Sequence, residues 1–125
     1  MLLDSNIIIY AIKPEFSNLR KLVENCQPLV SAISYVEVLG YHRLTPEDRQ
    51  DFEAFFDIVP IIHISQTILE QAVILRQKCK ISLGDSLIAA TAIVHKLTLV
   101  TANVKDFEWI EKIKILNPLP HQNCK

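Results

Sequence analysis

Met1-Leu-Leu-Asp-Ser-Asn-Ile-Ile-Ile9, MLLDSNIII, is the stretch on which the fold turns. Its first three residues are apolar and the fourth is Asp4, which reads as a short buried strand with a carboxylate at its carboxyl end. Ile7–Ile12 stays apolar and either continues that strand or turns into a helix. Outward from here the pattern alternates. PLVSAIS (28–34) reads as a second strand running into a helix start, and SYVEVLGYHRL (34–44) continues as helix. Ile61–Ile64 is a third strand, LTLVTAN (97–103) a fourth and Ile113–Leu116 a fifth. Between them, Ser17–Cys26 reads as a helix capped by Ser17. Thr45–Val59 is another, with Thr45 at the cap, Pro46 in the first turn and Phe52, Phe55 and Phe56 on one face. Ser65 caps a third through Lys78, and Asp85–Lys96 is apolar nearly all round, the mark of a buried helix. Short apolar strands alternating with helices predict a parallel sheet covered on both faces, an α/β architecture. Such sheets take ligands beyond the carboxyl ends of their strands, where strand order reverses. Asp4 follows strand one, and Thr101 and Asn103 follow strand four.

The bulk properties fit one domain. The chain has 125 residues, half of them apolar, with no repeat, linker or low-complexity segment. Thirteen basic and 14 acidic residues leave a net charge of −1, so overall charge supplies no attraction to nucleic acid and any such partner must be read from local features. Cys26, Cys79 and Cys124 are odd in number and widely spaced, which predicts free thiols in a reducing compartment. No basic segment precedes the first apolar run, and the longest uncharged apolar stretch, Ser86–Val94, is far short of a membrane span. These features predict a cytoplasmic protein without a membrane partner.

Most of the 14 acids have ordinary explanations. Glu47, Asp48, Asp51 and Glu53 lie on a solvated helix, and Glu24, Glu70 and Glu111 on polar faces. Asp4, Glu37 and Asp85 do not fit, because each is embedded among apolar residues, where an unpaired buried carboxylate costs several kcal/mol. Singly, each has a structural account. Asp4 could end a strand, and Ser82 with Asp85 in SLGDSLIAATA (82–92) matches a capping box. Glu37 has no capping role; its helical neighbours at one turn are Ile33, Gly40 and Tyr41. Jointly, three acids at converging strand ends would repel one another by roughly 3 kcal/mol per pair at 5 Å unless an ion neutralised them. Mg²⁺, with Mn²⁺ as a substitute, suits carboxylate oxygen; the lack of paired histidines disfavours zinc. An ion so held suggests phosphate chemistry. No P-loop and no G-x-G-x-x-G is present.

Four motifs, LLDSNIIIYA, SAISYVEVLGY, SLGDSLIAATA and LVTANVKDF, together resemble a PIN-domain ribonuclease, most closely the VapC-type toxins of type II toxin–antitoxin pairs. They occur in that family's order and spacing across essentially the whole chain. The resemblance implies a three-layer α/β/α fold with a central, roughly five-stranded parallel sheet, a single PIN domain over residues 1–118 and an extended tail over 119–125. It implies a metal-dependent endoribonuclease that leaves 5′-phosphate and 3′-hydroxyl ends. Asp4, Glu37 and Asp85 match the family's central metal ligands. At the fourth motif the family often has aspartate where this chain has Asn103, which is placed nearer the metal because an amide oxygen can still coordinate, directly or through water; Asp106, the one acid in that motif, is the alternative. Ser5, Asn6 and Thr101 match polar positions that brace the pocket. Lys13, Arg76, Lys78, Lys80 and Lys105 are the local candidates for RNA contact, or are simply solvated. The implied partners are RNA, a small antitoxin protein that wraps the toxin, and a second copy of the chain. The apolar faces around Ile12, Leu19, Leu22 and Phe55–Phe56 are either core or open to the antitoxin.

Two other readings stand beside this one. A PIN-like nuclease could process RNA without an antitoxin, and a binding module could keep the fold without the chemistry. A receiver-like phosphotransfer domain would need an acidic pair, a phospho-accepting aspartate and a later lysine, a set this chain lacks.

Overall fold

The computed structural model describes residues 1–119. Five strands, β1 (Leu2–Leu3), β2 (Leu29–Ser31), β3 (Ile61–Ile62), β4 (Leu99–Val100) and β5 (Ile115–Leu116), form one sheet of order β3-β2-β1-β4-β5. Every pairing is parallel, with Leu2 opposite both Leu29 and Leu99, and Leu3 opposite both Val30 and Val100. The chain winds outward from β1 to β2 and β3 on one side, then crosses back to β4 and β5 on the other. The strand order therefore reverses between β1 and β4, which opens a crevice at their carboxyl ends.

Side-chain alternation along these strands divides the core in two. Leu2 and Leu99 point to the layer holding helices α5 (Gln66–Lys78) and α6 (Leu83–His95), with Ile68, Leu75, Ile88 and Phe107. Leu3, Val30 and Val100 point to the opposite layer, made by α1 (Ser5–Ala11), α2 (Ser17–Asn25), α3 (Ala32–Leu39) and α4 (Pro46–Ile58), with Ile7, Leu19, Val38, Phe52 and Phe56. The result is the three-layer α/β/α arrangement that the sequence implied. α6 is buried continuously from Ser86 to Ala92. It is the most enclosed helix because it faces the sheet on one side and α5 on the other. A four-residue helix, α7 (Val104–Phe107), drops Phe107 into the first of these layers with no exposed surface. Phe107→Ala is expected to cost about 3–5 kcal/mol, as for other buried aromatic truncations, measured as a lowered urea midpoint at unchanged slope.

Several expectations are corrected in detail. Of the two readings left open for Ile7–Ile12, helix is the one adopted, through Ala11 with Ile12 at the C-cap, because Asp4 caps α1 immediately after β1. Ser17 is the first residue of α2 and not its cap; a single 3₁₀ turn, Pro14–Phe16, runs straight into the helix and leaves Phe16 at the cap position. The helix expected over 34–44 stops at Leu39, where the Gly40 N–H bonds back to the Val36 carbonyl at 2.8 Å. The third, fourth and fifth strands are shorter than expected. Ser82, by contrast, caps α6 and Ser65 caps α5 as their sequences suggested. Leu19 and Phe56 are core, whereas Leu22 is exposed and Ile12 and Phe55 are partly so. Cys26 and Cys79 are free thiols, while Cys124 and the tail beyond Leu119 lie outside the described residues. Among the described residues, no helix is long and apolar enough to cross a membrane.

Candidate active site

Asp4 occupies the reversal point. Its backbone N–H continues the β1–β4 ladder to the Val100 carbonyl at 2.9 Å, and its side chain starts α1 by accepting the Ser5 N–H on Oδ1 at 2.8 Å. Thr101, the first residue after β4, is fully buried and donates its hydroxyl to Asp4 Oδ2 at 2.7 Å. Asn6 ties the two strand exits together. Its Nδ2 lies 3.3 Å from Asp4 Oδ2, and its Oδ1 accepts the Ala102 N–H at 3.3 Å. The Asn103 N–H closes the turn on Thr101 Oγ1 at 3.0 Å. The polar residues expected to brace the pocket are thus all bonded within it.

Asp4 is only 4% exposed, and its pKa is raised from 3.8 to about 6. Burial is the largest cause, and the charges of Asp85 and Glu37 add to it. The Thr101 and Ser5 bonds act the other way without cancelling it.

Asp85 is the third residue of α6 and half-buried. The cap at this helix start uses its backbone, since the Asp85 N–H donates to Ser82 Oγ at 3.1 Å. Any residue but proline would supply that N–H, so capping does not account for the carboxylate. Its pKa is also raised, chiefly by burial, with Asp106 and Glu37 contributing by like-charge repulsion and the Ser82 hydroxyl opposing them. The one fit with ordinary helix chemistry is that an acid in the first turn faces the positive end of the helix dipole.

Glu37 stands on the last turn of α3, and here the sequence reading is corrected. Its side chain is exposed, because the helix ends before Tyr41 can join its face. The cost of burial therefore applies to Asp4 and Asp85, not to Glu37. What fixes Glu37 is a short bond: Ser5 Oγ lies 2.6 Å from its Oε1. Ser34, one turn earlier on α3, lies 3.0 Å from the same Ser5 oxygen. Ser34 was not singled out from the sequence, although its spacing of three from Glu37 puts both on one helical face. Gly84 was missed too. A Cβ there would come within 2.7 Å of Glu37 Oε2.

Asp4, Glu37 and Asp85 thus influence one another across the β1–β4 crevice, and Asp106 on α7 joins through Asp85. Of the two fourth-motif candidates, Asp106 is the charged one and repels Asp85. Asn103 stands at the N-cap position of α7 without a side-chain capping bond and is exposed. Lys105 is exposed beside Asp106, while Arg76, Lys78 and Lys80 are exposed around the end of α5 that leads into α6. Lys13 is carried to the far end of α1 from Asp4, with its ammonium 5.2 Å from the centre of the Tyr10 ring.

Among the described residues the sole ion pair is Arg49–Glu53 on α4, so no lysine or arginine is paired with the clustered acids. No three His, Cys, Asp or Glu side chains among them close into a ligand cage. The three acids are neighbours through the residues beside them, Glu37 touching Ser5 next to Asp4 and lying against Gly84 next to Asp85. The donor set around the crevice is oxygen only, supplied by carboxylates, hydroxyls and an amide. That chemistry fits a hard divalent cation retaining several waters.

The sequence pattern of the PIN domain matches residues 1–112. The chain belongs to the PIN domain family. This PIN domain is 29% identical to a protein named Ribonuclease VapC1 from Rickettsia felis, over 93% of the chain and 94% of that relative. Its fold matches a toxin–antitoxin complex from Klebsiella pneumoniae with a TM-score of 0.75 and 34% identity, covering 94% of this chain and 97% of that one. It also matches VapBC2 from Rickettsia felis, solved bound to a DNA fragment from its promoter, with a TM-score of 0.77 and 27% identity over 93% and 96% of the two chains.

Proposed function

We propose that this PIN domain is a Mg²⁺-dependent endoribonuclease, the toxin of a type II toxin–antitoxin pair, that hydrolyses RNA phosphodiesters to 5′-phosphate and 3′-hydroxyl ends. The observation that carries this reading is the meeting of Asp4, Glu37 and Asp85 at the β1–β4 crevice with no basic side chain paired to them. The names of its relatives, a ribonuclease and a toxin–antitoxin complex, support the substrate and the partner.

In this reading Asp4, Asp85 and Glu37 hold the ion, with Mn²⁺ able to replace Mg²⁺, and Asn103 contributes its amide oxygen directly or through water. Asp106 adds charge on the Asp85 side. A bound divalent ion makes water nucleophilic near neutral pH and offsets charge developing on the phosphate. The chain's own residues do the rest. Thr101, Asn6 and the Ser5 N–H occupy most of the lone pairs of Asp4, so its remaining face is directed into the crevice. Glu37, exposed at the mouth, orients the attacking water and can accept its proton. Arg76, Lys78, Lys80 and Lys105 are placed to meet RNA phosphates leading to the crevice, whereas Lys13 reaches RNA only at the far end of α1. A small antitoxin protein covers the pocket, and two copies of the chain form a homodimer in the cytoplasm.

The test is cleavage of total RNA by purified protein stripped of any bound partner, with Mg²⁺, Mn²⁺ or excess EDTA. Cutting with either ion, abolished by EDTA and leaving 3′ ends that a ligase accepts, is expected. A folded, metal-loaded protein that binds RNA and leaves it intact overturns the nuclease reading in favour of a binding module.

A further inference from the structure

Ser34 has an unusual position for a serine. It is fully buried in the third residue of α3, and its hydroxyl is bonded to Ser5 Oγ at 3.0 Å. A buried hydroxyl needs its bond, so this contact is what keeps a serine there at no net cost. The direction of the bond follows from proton counting. Ser5 Oγ is also 2.6 Å from Glu37 Oε1, and a hydroxyl has one hydrogen. A carboxylate can only accept, so the Ser5 hydrogen goes to Glu37. The Ser34 hydrogen then goes to the Ser5 oxygen. Ser34→Ser5→Glu37 is a directed chain, and each bond polarises the next and strengthens it.

The other oxygen of the same carboxylate is flanked by Gly84. The backbone at Gly84 does not need glycine, for no glycine here has a positive φ. What glycine supplies is room, since a Cβ would lie 2.7 Å from Glu37 Oε2. An exposed glutamate on a flexible stem is thus held at one oxygen by a hydroxyl, while its other oxygen lies in a space that only glycine leaves.

We propose that Ser34 is a positioning residue for Glu37, acting through the Ser5 hydroxyl, and that Gly84 reserves the space the carboxylate occupies. The inference rests on the nuclease reading above but names residues that reading does not use. Its consequence is that Glu37 is presented to the ion in one orientation instead of several, so loss of either support weakens metal binding without unfolding the protein.

The test compares wild type, Ser34→Ala, Gly84→Ala, Glu37→Ala and the two double variants with Glu37→Ala, reading Mn²⁺ affinity by calorimetry alongside RNA cleavage and metal-free melting. Ser34→Ala is expected to weaken Mn²⁺ binding about fivefold, the worth of one hydrogen bond. It should lower kcat in parallel and leave KM for RNA and the melting temperature unchanged. Gly84→Ala should act in the same direction while melting no earlier than wild type, since alanine is the better helix former. In the Glu37→Ala background neither change should have a further effect on Mn²⁺ affinity. Wild-type-like affinity in both single variants, or an equal loss with and without Glu37, overturns the proposal while leaving the nuclease reading intact. A wild-type protein that neither binds Mn²⁺ nor cuts RNA overturns both.

Discussion

Asp85→Asn is expected to reduce metal-dependent RNA cleavage at least about a hundredfold while the protein melts within a few degrees of wild type. The expectation separates the two roles that residue 85 could have. The helix cap depends on the Asp85 N–H, which donates to Ser82 Oγ and survives the substitution. Stability loses the attraction between a first-turn carboxylate and the helix dipole, typically 0.3–1 kcal/mol. It regains part of that as repulsion from Asp106 and Glu37 disappears. Cleavage has no such compensation, because even outer-shell partners of a metal are worth 10–100-fold and a direct ligand is worth more. Cleavage assays and thermal melts on the same preparation check both halves. A variant that melts early in proportion to its lost activity would return Asp85 to a capping role.

The second large effect concerns Asp4 and pH. Its carboxyl titrates near 3.8 when exposed and at about 6 in the fold. Below the lower value the group is protonated in both states and contributes nothing to the pH dependence. Between the two values the unfolded chain has released the proton and the folded chain retains it, so stability falls as pH rises. Above about 6 both forms are ionised and the loss is complete, on the order of 3 kcal/mol. Metal-free protein should therefore have a lower urea midpoint at pH 7.5 than at pH 4.5 by this contribution, and Asp4→Asn should remove it. The variant is not expected to be hyperstable, because its amide N–H groups would face the Asn6 amide and the Thr101 hydroxyl now bonded to Oδ2. Adding Mn²⁺ at pH 7.5 should restore the wild type by mass action and leave Asp4→Asn unmoved. An unchanged pH slope in Asp4→Asn would show that another group sets it.

How far the sequence could be read differs from residue to residue. Asp4 and Thr101 were legible because an apolar run ending in a polar residue marks a strand exit, and parallel sheets gather those exits. Asp85 was legible because a first-turn acid opening an apolar helix invites explanation. Glu37 was picked out for a reason the structure does not support. The helix was read through Tyr41, but Gly40 ends it, and the carboxylate sits in the open. Its importance lies in what it is bonded to, which spacing alone does not reveal. Ser34 went unnoticed because a serine within a helix is commonplace; only its complete burial makes it informative. The four-residue α7 that follows Asn103 and carries Asp106 was not foreseen, being too brief to show a periodicity. Ser17 was misplaced because a 3₁₀ turn merged with the helix that followed.

The sheet order has a consequence for the timing of assembly. β1 lies in the middle, with β2 as one neighbour and β4 as the other. A ribosome delivers β2 soon after β1, so that edge can pair early, but the Asp4–Thr101 bond joins residues 97 positions apart. Until β4 and the preceding α6 have emerged, the emerging chain carries Asp4 on a bare strand edge, without Asp85 or the threonine that orients it. Long-range pairings of this kind form late, because the loop must close before its contacts can reward the closure. The acid pocket thus comes into being only when the second side of the sheet is made. A partly made chain emerging beside ribosomal and messenger RNA carries the ingredients of the pocket without the pocket itself.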